Sequence, residues 1–302
     1  ESNNLAIRGL VDACGGGHVI TSAVEHPAVL EVVLALEIEG RIELTIVGVD
    51  RFGRIDPDAV ADAMRDDTVL VSLMLANNEV GTLQPVREVA ALCREHGVAI
   101  HTDAAQAVGQ VPVDVEELGV DLLSVAGHKL YASKGIGALY IRDGLRIEPQ
   151  IRGAGHERGR RAGTENVLLA VGLGTACELA KGEVIEERER LAVLRDQLAA
   201  GLRAGFEGLV EHGHPEARLP NTLSVALPGR DANTLIGELA EDLAASAGSA
   251  CHSGTTMISY VLQAMGVEPE IARSTVRLSV GRFTTEEEID RAVELIDHAT
   301  RS

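Results

Sequence analysis

The chain has 302 residues, and 45% of them are hydrophobic, which is enough for a buried core and excludes a globally disordered chain. Asp and Glu number 46 against 27 Lys and Arg, so the formal net charge is −19. This excess argues against direct binding to nucleic-acid backbones, which needs clustered positive charge. No stretch reaches the roughly 18 to 20 apolar residues of a membrane span, so no membrane partner is expected.

Strands and helices alternate through the first half of the chain. The pattern predicts strands at 19–22, 42–49, 68–75, 98–102, 121–125 and 136–141, and helices at 27–39, 57–65 and 85–96. Alternation of this kind indicates βαβ units and a largely parallel sheet, and ligands of such sheets bind beyond the carboxyl ends of the strands.

The second half begins with a charged segment, 164–203, which is interpreted as a long connecting helix. A second α/β unit follows it and closes with a helix near the C-terminus; its other predicted elements are strands at 222–226 and 276–280 and a helix at 231–241. Thr285 and Glu288 have the spacing of a capping box, which predicts the start of the last helix.

The four cysteines, Cys14, Cys93, Cys177 and Cys251, form no CxxC pair, and their spacing suits neither a zinc site nor a disulfide scaffold. Reduced thiols and a cytoplasmic location are therefore expected. Cys93 and Cys177 lie in helical patterns and are predicted to be packing residues. Cys14 and Cys251 lie near glycines, and Cys251, followed by His252, is the stronger candidate for a reactive thiol.

Asp103 and Gln106 follow one predicted strand and could contact the same ligand. A carboxylate suits a protonated ring nitrogen, and an amide suits a neighbouring ring oxygen. The same two residues also fit an N-cap aspartate followed by a surface glutamine. The residues alone leave both interpretations open.

Lysine occurs only at Lys129, Lys134 and Lys181, and lysine is the basic residue that forms imines. Lys129 follows a predicted buried strand, where burial would lower the pKa of its amine and make it nucleophilic. The alternative is a lysine whose stem covers apolar surface while its amine reaches water. Lys134 is expected in a loop and Lys181 on an exposed helix.

Three further residues have both a functional and a structural interpretation. Arg277 lies on an alternating strand, where its planar guanidinium suits a carboxylate ligand or a structural ion pair. His26 precedes a helix, so it could stack on a flat ring, move protons or cap the helix. Thr164 follows a basic turn at 159–163 whose backbone amides could bind an anion.

Taken together, these motifs resemble the cysteine desulfurases of the NifS/IscS type. The motifs that carry the resemblance occur in family order: EHPAV at 25–29, ANNEVG at 76–81, HTDAAQ at 101–106, GHK at 127–129, RAGT at 161–164, GSAC at 248–251 and RLSVGRFTT at 277–285. The match covers nearly the whole chain. It implies an α/β fold of the pyridoxal-phosphate fold-type I class, with a mainly parallel seven-stranded sheet in a large domain, 1–190, and a smaller C-terminal α/β domain, 191–302.

The resemblance also implies a cofactor, pyridoxal 5′-phosphate, and residues that bind it. Lys129 would hold the cofactor covalently, Asp103 would pair with its ring nitrogen, and His26 would stack on the ring. Gln106 and Asn78 would bond the phenolic oxygen or the substrate side of the ring. The phosphate would be held by His128 and by Thr164 of the partner subunit in a homodimer.

The implied reaction is the removal of sulfur from L-cysteine as alanine is released. Arg277, with Asn78, would bind the substrate, and Cys251 would attack the substrate sulfur and carry it as a persulfide to an acceptor protein. Related enzymes supply iron–sulfur clusters, thiolated tRNA or DNA phosphorothioates, and no motif selects among these acceptors. Selenocysteine lyase, another enzyme of the superfamily, and a non-catalytic sulfur-delivery scaffold remain alternatives.

Three departures from the family pattern bear on these expectations. Ala126 stands where the family has Ser, which removes one expected phosphate hydroxyl, and Ser133 stands where it has Pro. The chain begins Glu1-Ser2-Asn3-Asn4 without Met and without the phosphate loop that precedes this point in the family. Its start is therefore interpreted as a truncated or processed end.

Overall fold

The computed structural model describes residues 1–247 and 258–301. Two units divide the chain: the first comprises Glu1–Gly48, Ile55–Asn77 and Gln84–Val184, and the second comprises Val49–Arg54, Asn78–Leu83 and Ile185–Ser302. The division between 1–190 and 191–302 that was expected from the sequence stays a prediction.

The first unit is built on a six-stranded sheet with the order β2-β1-β3-β4-β5-β6. Neighbouring strands are parallel except β6, which is antiparallel to β5. The strands are β1 Gly17–Ser22, β2 Ile42–Val47, β3 Thr68–Met74, β4 Ala99–Asp103, β5 Leu122–Ala126 and β6 Gly137–Ile141. The helices are α1 Ser2–Cys14, α2 Pro27–Ile38, α3 Pro57–Ala63, α4 Val86–His96 and α5 Val115–Leu118.

Local sequence explains where these helices begin and end. Pro27 and Pro57 occupy the first turns of α2 and α3, where their missing N–H groups cost nothing. Asp56 caps α3 by accepting a hydrogen bond from the backbone N–H of Asp58. Gly97 ends α4 with a φ of 70°, a left-handed conformation that glycine adopts without strain.

Apolar burial holds the two helices at the start of the unit against the sheet. One core cluster joins Leu10 of α1, Leu36 of α2 and Leu70 of β3, all of them buried. Each fully buried leucine contributes roughly 1.5–3 kcal/mol relative to an exposed one. β1, β3, β4 and β5 run parallel, so all four end at the same edge of the sheet. Residues that follow these strands are therefore placed at this edge.

The second unit contains an antiparallel sheet with the order β7-β8-β10-β9. The strands are β7 Val210–His212, β8 Thr222–Ala226, β9 Ser246–Ala247 and β10 Thr275–Ser279. The helices are α7 Ala232–Glu238, α8 Tyr260–Ala264, α9 Pro269–Arg273 and α10 Glu286–Arg301, together with the C-terminal part of α6 Val167–Gly205. Leu191, Leu194, Leu198 and Leu202 of α6 are spaced three or four residues apart and are buried in the core of this unit.

The structure confirms the alternating α/β pattern and the long helix, and it differs from the expectations in two respects. The main sheet has six strands rather than seven among the described residues, because no described segment pairs with the second edge of β6. The helix α1 was not predicted. Over 1–247 and 258–301, no helix has both the length and the apolar character that crossing a membrane requires.

Candidate active site

Asp103 is a buried carboxylate held by two neutral donors. It is the last residue of β4 and is 7% exposed. The backbone N–H of Ala105 donates to its Oδ1 at 2.9 Å, and Asn3 Nδ2 donates to its Oδ2 at 2.7 Å. No Lys, Arg or His in the described ranges forms an ion pair with Asp103. A buried carboxylate without a cation is costly, so this arrangement favours a cationic ligand group.

A row of buried polar side chains lies one layer below Asp103 in the sheet. His101 precedes Asp103 by two residues, so both side chains point to the same face of β4. The two ring nitrogens of His101 contact Ser72 Oγ at 2.8 Å and Ser124 Oγ at 3.0 Å. Burial lowers the pKa of His101 to about 4, although the charge of Asp103 opposes this shift. The imidazole is therefore neutral at neutral pH and does not compete for Asp103.

Glu25 is a second buried carboxyl group, at the end of the loop that follows β1. Its Oε1 accepts hydrogen bonds from Ser22 Oγ at 2.6 Å and from the backbone N–H of Met74 at 2.9 Å. Burial raises the pKa of Glu25 to about 8; the two hydrogen bonds oppose the rise, and the charge of Asp103 adds to it. Glu25 is therefore mainly protonated at neutral pH.

Lys129 and His128 lie in a 3-10 turn, Gly127–Leu130, at the carboxyl end of β5. Both side chains belong to exposed residues. The turn depends on Gly127, because a Cβ there would meet the carbonyl oxygen of Ile136 at 2.8 Å. Tyr131 ends the turn with a φ of 64°, a strained value for a bulky residue that is typical of functional sites. Parallel pairing of β4 and β5 puts this turn beside the strand that ends at Asp103.

The other residues expected at the cofactor have different environments. His26 is exposed, and its Nδ1 accepts a hydrogen bond from the backbone N–H of Ala28 at 3.1 Å, so it caps α2. Gln106 is half-buried in the turn after β4, and Thr164 is exposed just before α6. In the basic turn before Thr164, Arg161 already pairs with Glu1 at 2.8 Å.

Arg277 and Asn78 contact each other in the second unit. Arg277 Nη1 donates to the backbone oxygen of Asn78 at 2.8 Å. The side-chain Oδ1 of Asn78 is buried and accepts no hydrogen bond from any described residue. An unsatisfied buried amide oxygen is rare and needs a partner such as a ligand. Both predicted substrate-binding residues are thus brought together, and Arg277 keeps further N–H donors for a ligand.

The cysteine expectations have mixed outcomes. Cys251 lies outside the described residues. Cys93 is buried as predicted, and burial raises its pKa to about 12. Cys177 is exposed, so its prediction as a packing residue is wrong for this chain; the Ala/Leu-rich stretch around it is an outer surface of α6. Partial burial raises the thiol pKa of both Cys14 and Cys177, so neither is an activated thiolate.

Some residues that contact or neighbour the predicted site residues were not selected as site residues from the sequence. They are Asn3, Glu25 and His101 near Asp103, and Glu79, which follows Asn78. The alternation His-x-Asp at 101–103 was a usable signal, since it predicts both side chains on one face of a strand. Asn3 and Asp103 are a hundred positions apart, and no local pattern predicts their contact.

Comparison with known proteins gives the family. A family model described as aminotransferase class-V matches residues 1–292. The chain belongs to the aminotransferase class-V family. The cysteine desulfurase IscS of Methanosarcina thermophila is 46% identical over 299 residues, which cover 98% of this chain and 74% of that protein.

Solved structures agree with this membership. A NifS-like protein superposes with a TM-score of 0.91 at 36% identity and covers 98% of this chain and 79% of its own. A structure titled SspA in complex with cysteine has a TM-score of 0.79 at 33% identity and covers 94% of this chain and 80% of its own. The architecture is therefore that of the class-V aminotransferases, the expected fold-type I of pyridoxal-phosphate enzymes.

Pyridoxal phosphate is the cofactor of this enzyme group, and the described residues fit it. Asp103 is buried with neutral donors only, which suits a protonated ring nitrogen. A lysine follows the neighbouring strand at the same edge of the sheet. Ala126, the last residue of β5, offers no hydroxyl to a phosphate.

Proposed function

We propose that this chain is a cysteine desulfurase that converts L-cysteine to L-alanine and carries the released sulfur as a persulfide on Cys251. The observation that carries the proposal is the buried Asp103, hydrogen-bonded by the neutral donors Asn3 and Ala105, at the sheet edge that also bears Lys129. The similarity to IscS over nearly the whole chain supports the choice of reaction within the family.

Each residue of the first unit has a proposed role toward the cofactor. When bound, pyridoxal phosphate supplies an electron sink for the substrate α-carbon. Lys129 Nζ would attach it, and Asp103 would keep a proton on its ring nitrogen. His26, Gln106, His128 and Thr164 would make the ring and phosphate contacts expected from the family.

The substrate roles fall to Arg277, Asn78 and Cys251. The guanidinium of Arg277 would bind the substrate carboxylate through its planar N–H groups. The thiolate of Cys251 would form an S–S bond to the substrate sulfur as the carbon–sulfur bond breaks. The bonding electrons stay with the substrate carbon, which takes up a proton to give alanine. The sulfur then leaves with a persulfide acceptor.

Replacing Lys129 tests the assignment of the cofactor site. We expect Lys129→Ala to remove the visible absorption of the bound cofactor and to abolish alanine formation from L-cysteine, because the Lys129 amine is the group proposed to hold the cofactor covalently. Lys134→Ala is the matched control and should keep both. Unchanged cofactor absorption in Lys129→Ala would contradict the proposal.

Replacing Cys251 separates an enzyme from a sulfur-delivery scaffold. We expect Cys251→Ala to retain bound cofactor while it loses sulfide release in the presence of a reductant. Cys177→Ala, at the exposed cysteine of α6, is the control that should keep full activity. Wild-type protein that binds cofactor and yet forms no alanine would support the scaffold alternative.

Three broader statements complete the proposal. The chain would act as a homodimer, it would pass sulfur to an acceptor protein, and it would work in the cytoplasm without a membrane or nucleic-acid partner. The exposed apolar face of α6 supports the dimer, with Leu168 at 82% and Val171 at 64% exposure.

A further inference from the structure

Glu79 carries a carboxyl group that has no role in the proposed reaction. It follows Asn78, which contacts Arg277, the arginine proposed to bind the substrate. The backbone oxygen of Asn78 accepts the hydrogen bond from Arg277 Nη1 at 2.8 Å. Glu79 Oε2 accepts a hydrogen bond from Ser259 Oγ at 2.5 Å. Arg277 and Ser259 are therefore hydrogen-bonded to two consecutive residues, Asn78 and Glu79.

Ser259 fixes the position of the Glu79 carboxyl. It is 5% exposed and is the N-cap of α8, where its Oγ also accepts a hydrogen bond from the backbone N–H of Leu262 at 3.2 Å. A hydroxyl that donates one hydrogen bond and accepts another cannot rotate freely. The carboxyl of Glu79 is thus held at a fixed place in the second unit, next to the residue that binds Arg277.

Arg277 is otherwise available for a ligand. It lies in the middle of β10, between Ser224 of β8 and Ser246 of β9, which carry no charge. Within the described ranges, no carboxylate oxygen makes a salt bridge to its guanidinium. The charge of Glu79 acts on Arg277 and can therefore compete with the negative charge of a ligand.

We propose that Glu79 is a specificity-determining residue that sets the affinity of Arg277 for the substrate carboxylate. When Glu79 is neutral, Arg277 presents its full positive charge to the substrate; when Glu79 is ionised, it offsets part of that charge. The inference rests on the proposed function, since it takes Arg277 to bind the carboxylate of L-cysteine.

The ionisation of Glu79 falls near neutral pH. Burial raises the pKa of Glu79 to about 7, while the hydrogen bond from Ser259 and the charge of Arg277 lower it from a still higher value. The charge of Arg277 acts on this carboxyl, and the hydroxyl of Ser259 is hydrogen-bonded to it. Substrate affinity should therefore fall as the pH rises through about 7.

The test compares KM for L-cysteine in the wild type and in Glu79→Gln, both as full-length holoenzyme, from about pH 5.5 to about pH 8.5. Glutamine keeps an acceptor for Ser259 and cannot ionise. We expect the ratio of the wild-type KM to the variant KM to be about one at the lowest pH and to reach roughly three to ten at the highest pH. The titration of cysteine itself cancels in the ratio. The dissociation constant of L-alanine, read from cofactor absorbance, should follow the same trend without turnover.

A second substrate separates this role from a structural one. L-cysteine methyl ester carries no carboxylate, so its KM ratio should stay independent of pH. Glu288→Gln makes the same chemical change at a capping glutamate of the second unit and should leave both ratios near one. Ser259→Ala, a second variant in case Glu79→Gln does not fold, removes a hydrogen bond that lowers the Glu79 pKa, so the rise in KM should move to higher pH.

The outcomes distinguish the two proposals. If the wild type forms no alanine from L-cysteine, or if Arg277→Gln leaves the KM for L-cysteine unchanged, the proposed function or its substrate site is wrong. If Arg277→Gln raises that KM and the Glu79→Gln ratio is nonetheless flat with pH, the inference about Glu79 is overturned. A ratio that changes equally for the acid and the ester also overturns it.

Discussion

Glu25 shows how one buried carboxyl group links the site to the stability of the first unit. Folding moves this carboxyl out of water, and its pKa rises from 4.5 to about 8. Between these values the folded state binds more protons than the unfolded state, so stability falls as the pH rises. We expect this residue to lower the free energy of unfolding by up to about 1.4 kcal/mol per pH unit between about pH 4.5 and about pH 8.

Denaturant unfolding of the wild type and of Glu25→Gln over this pH range measures the effect. Glutamine keeps an oxygen to accept from Ser22 and Met74, so the packing is preserved while the titration is removed. The difference between the two free energies should therefore change with pH in favour of the variant. Glu116→Gln, at an exposed position of α5, is the control. Parallel curves for the wild type and Glu25→Gln would show that Glu25 does not titrate in the folded protein.

At the residue scale, the sequence predicted positions better than it predicted contacts. Asp103 and Lys129 come to one sheet edge because parallel strands β4 and β5 both end there, which the alternating pattern implies. His26 has the helix-capping contact that was one of its three interpretations. The bond between Ser259 and Glu79 joins residues 180 positions apart, and nothing in either local sequence indicates it.

At the element scale, the start of α10 is a local feature that the sequence specifies. Glu288 N donates to Thr285 Oγ1 at 3.3 Å, and Thr285 N donates to Glu288 Oε2 at 3.0 Å, which confirms the predicted capping box. We expect Thr285→Ala to lower the free energy of unfolding by about 1 kcal/mol, because backbone N–H groups of the first turn lose their acceptor. Thr285→Ser keeps the hydroxyl and should restore most of the loss. Chemical denaturation measures both, and equal stability of the two variants would contradict the capping role.

Helices and strands that depend on tertiary contacts were harder to predict from the sequence. The helix α1 begins with Ser2 and two asparagines, which are weak helix formers, and ends at a run of glycines. It is stable in the fold because Leu5, Ile7 and Leu10 pack into the core of the first unit. The two-residue strand β9 exists only through its pairing with β10, so no periodic pattern could reveal it.

At the scale of the whole molecule, α6 presents an apolar face that is exposed in the described part of the chain. Leu168, Val171, Thr175 and Leu179 are spaced three or four residues apart and therefore form one stripe of the helix. Thr175 Oγ1 donates to the backbone oxygen of Val171 at 3.1 Å, so its hydroxyl is satisfied within the helix. Isolated exposed apolar residues are normal, whereas a contiguous stripe of this kind supports the proposed homodimer interface.

We expect Leu168→Glu combined with Val171→Glu to convert a homodimer to a monomer, because two carboxylates would be buried without cations at the interface. Sedimentation velocity measures the change, and Ile38→Glu, at an isolated exposed position of α2, is the matched control that should stay dimeric. Thr164 lies three residues before the first residue of α6 and is expected to reach the cofactor phosphate of the partner subunit. The monomeric variant should therefore also bind pyridoxal phosphate more weakly, which equilibrium titration tests. A variant that is monomeric and yet binds the cofactor as tightly as the wild type would remove Thr164 from the phosphate site while leaving the dimer interface in place.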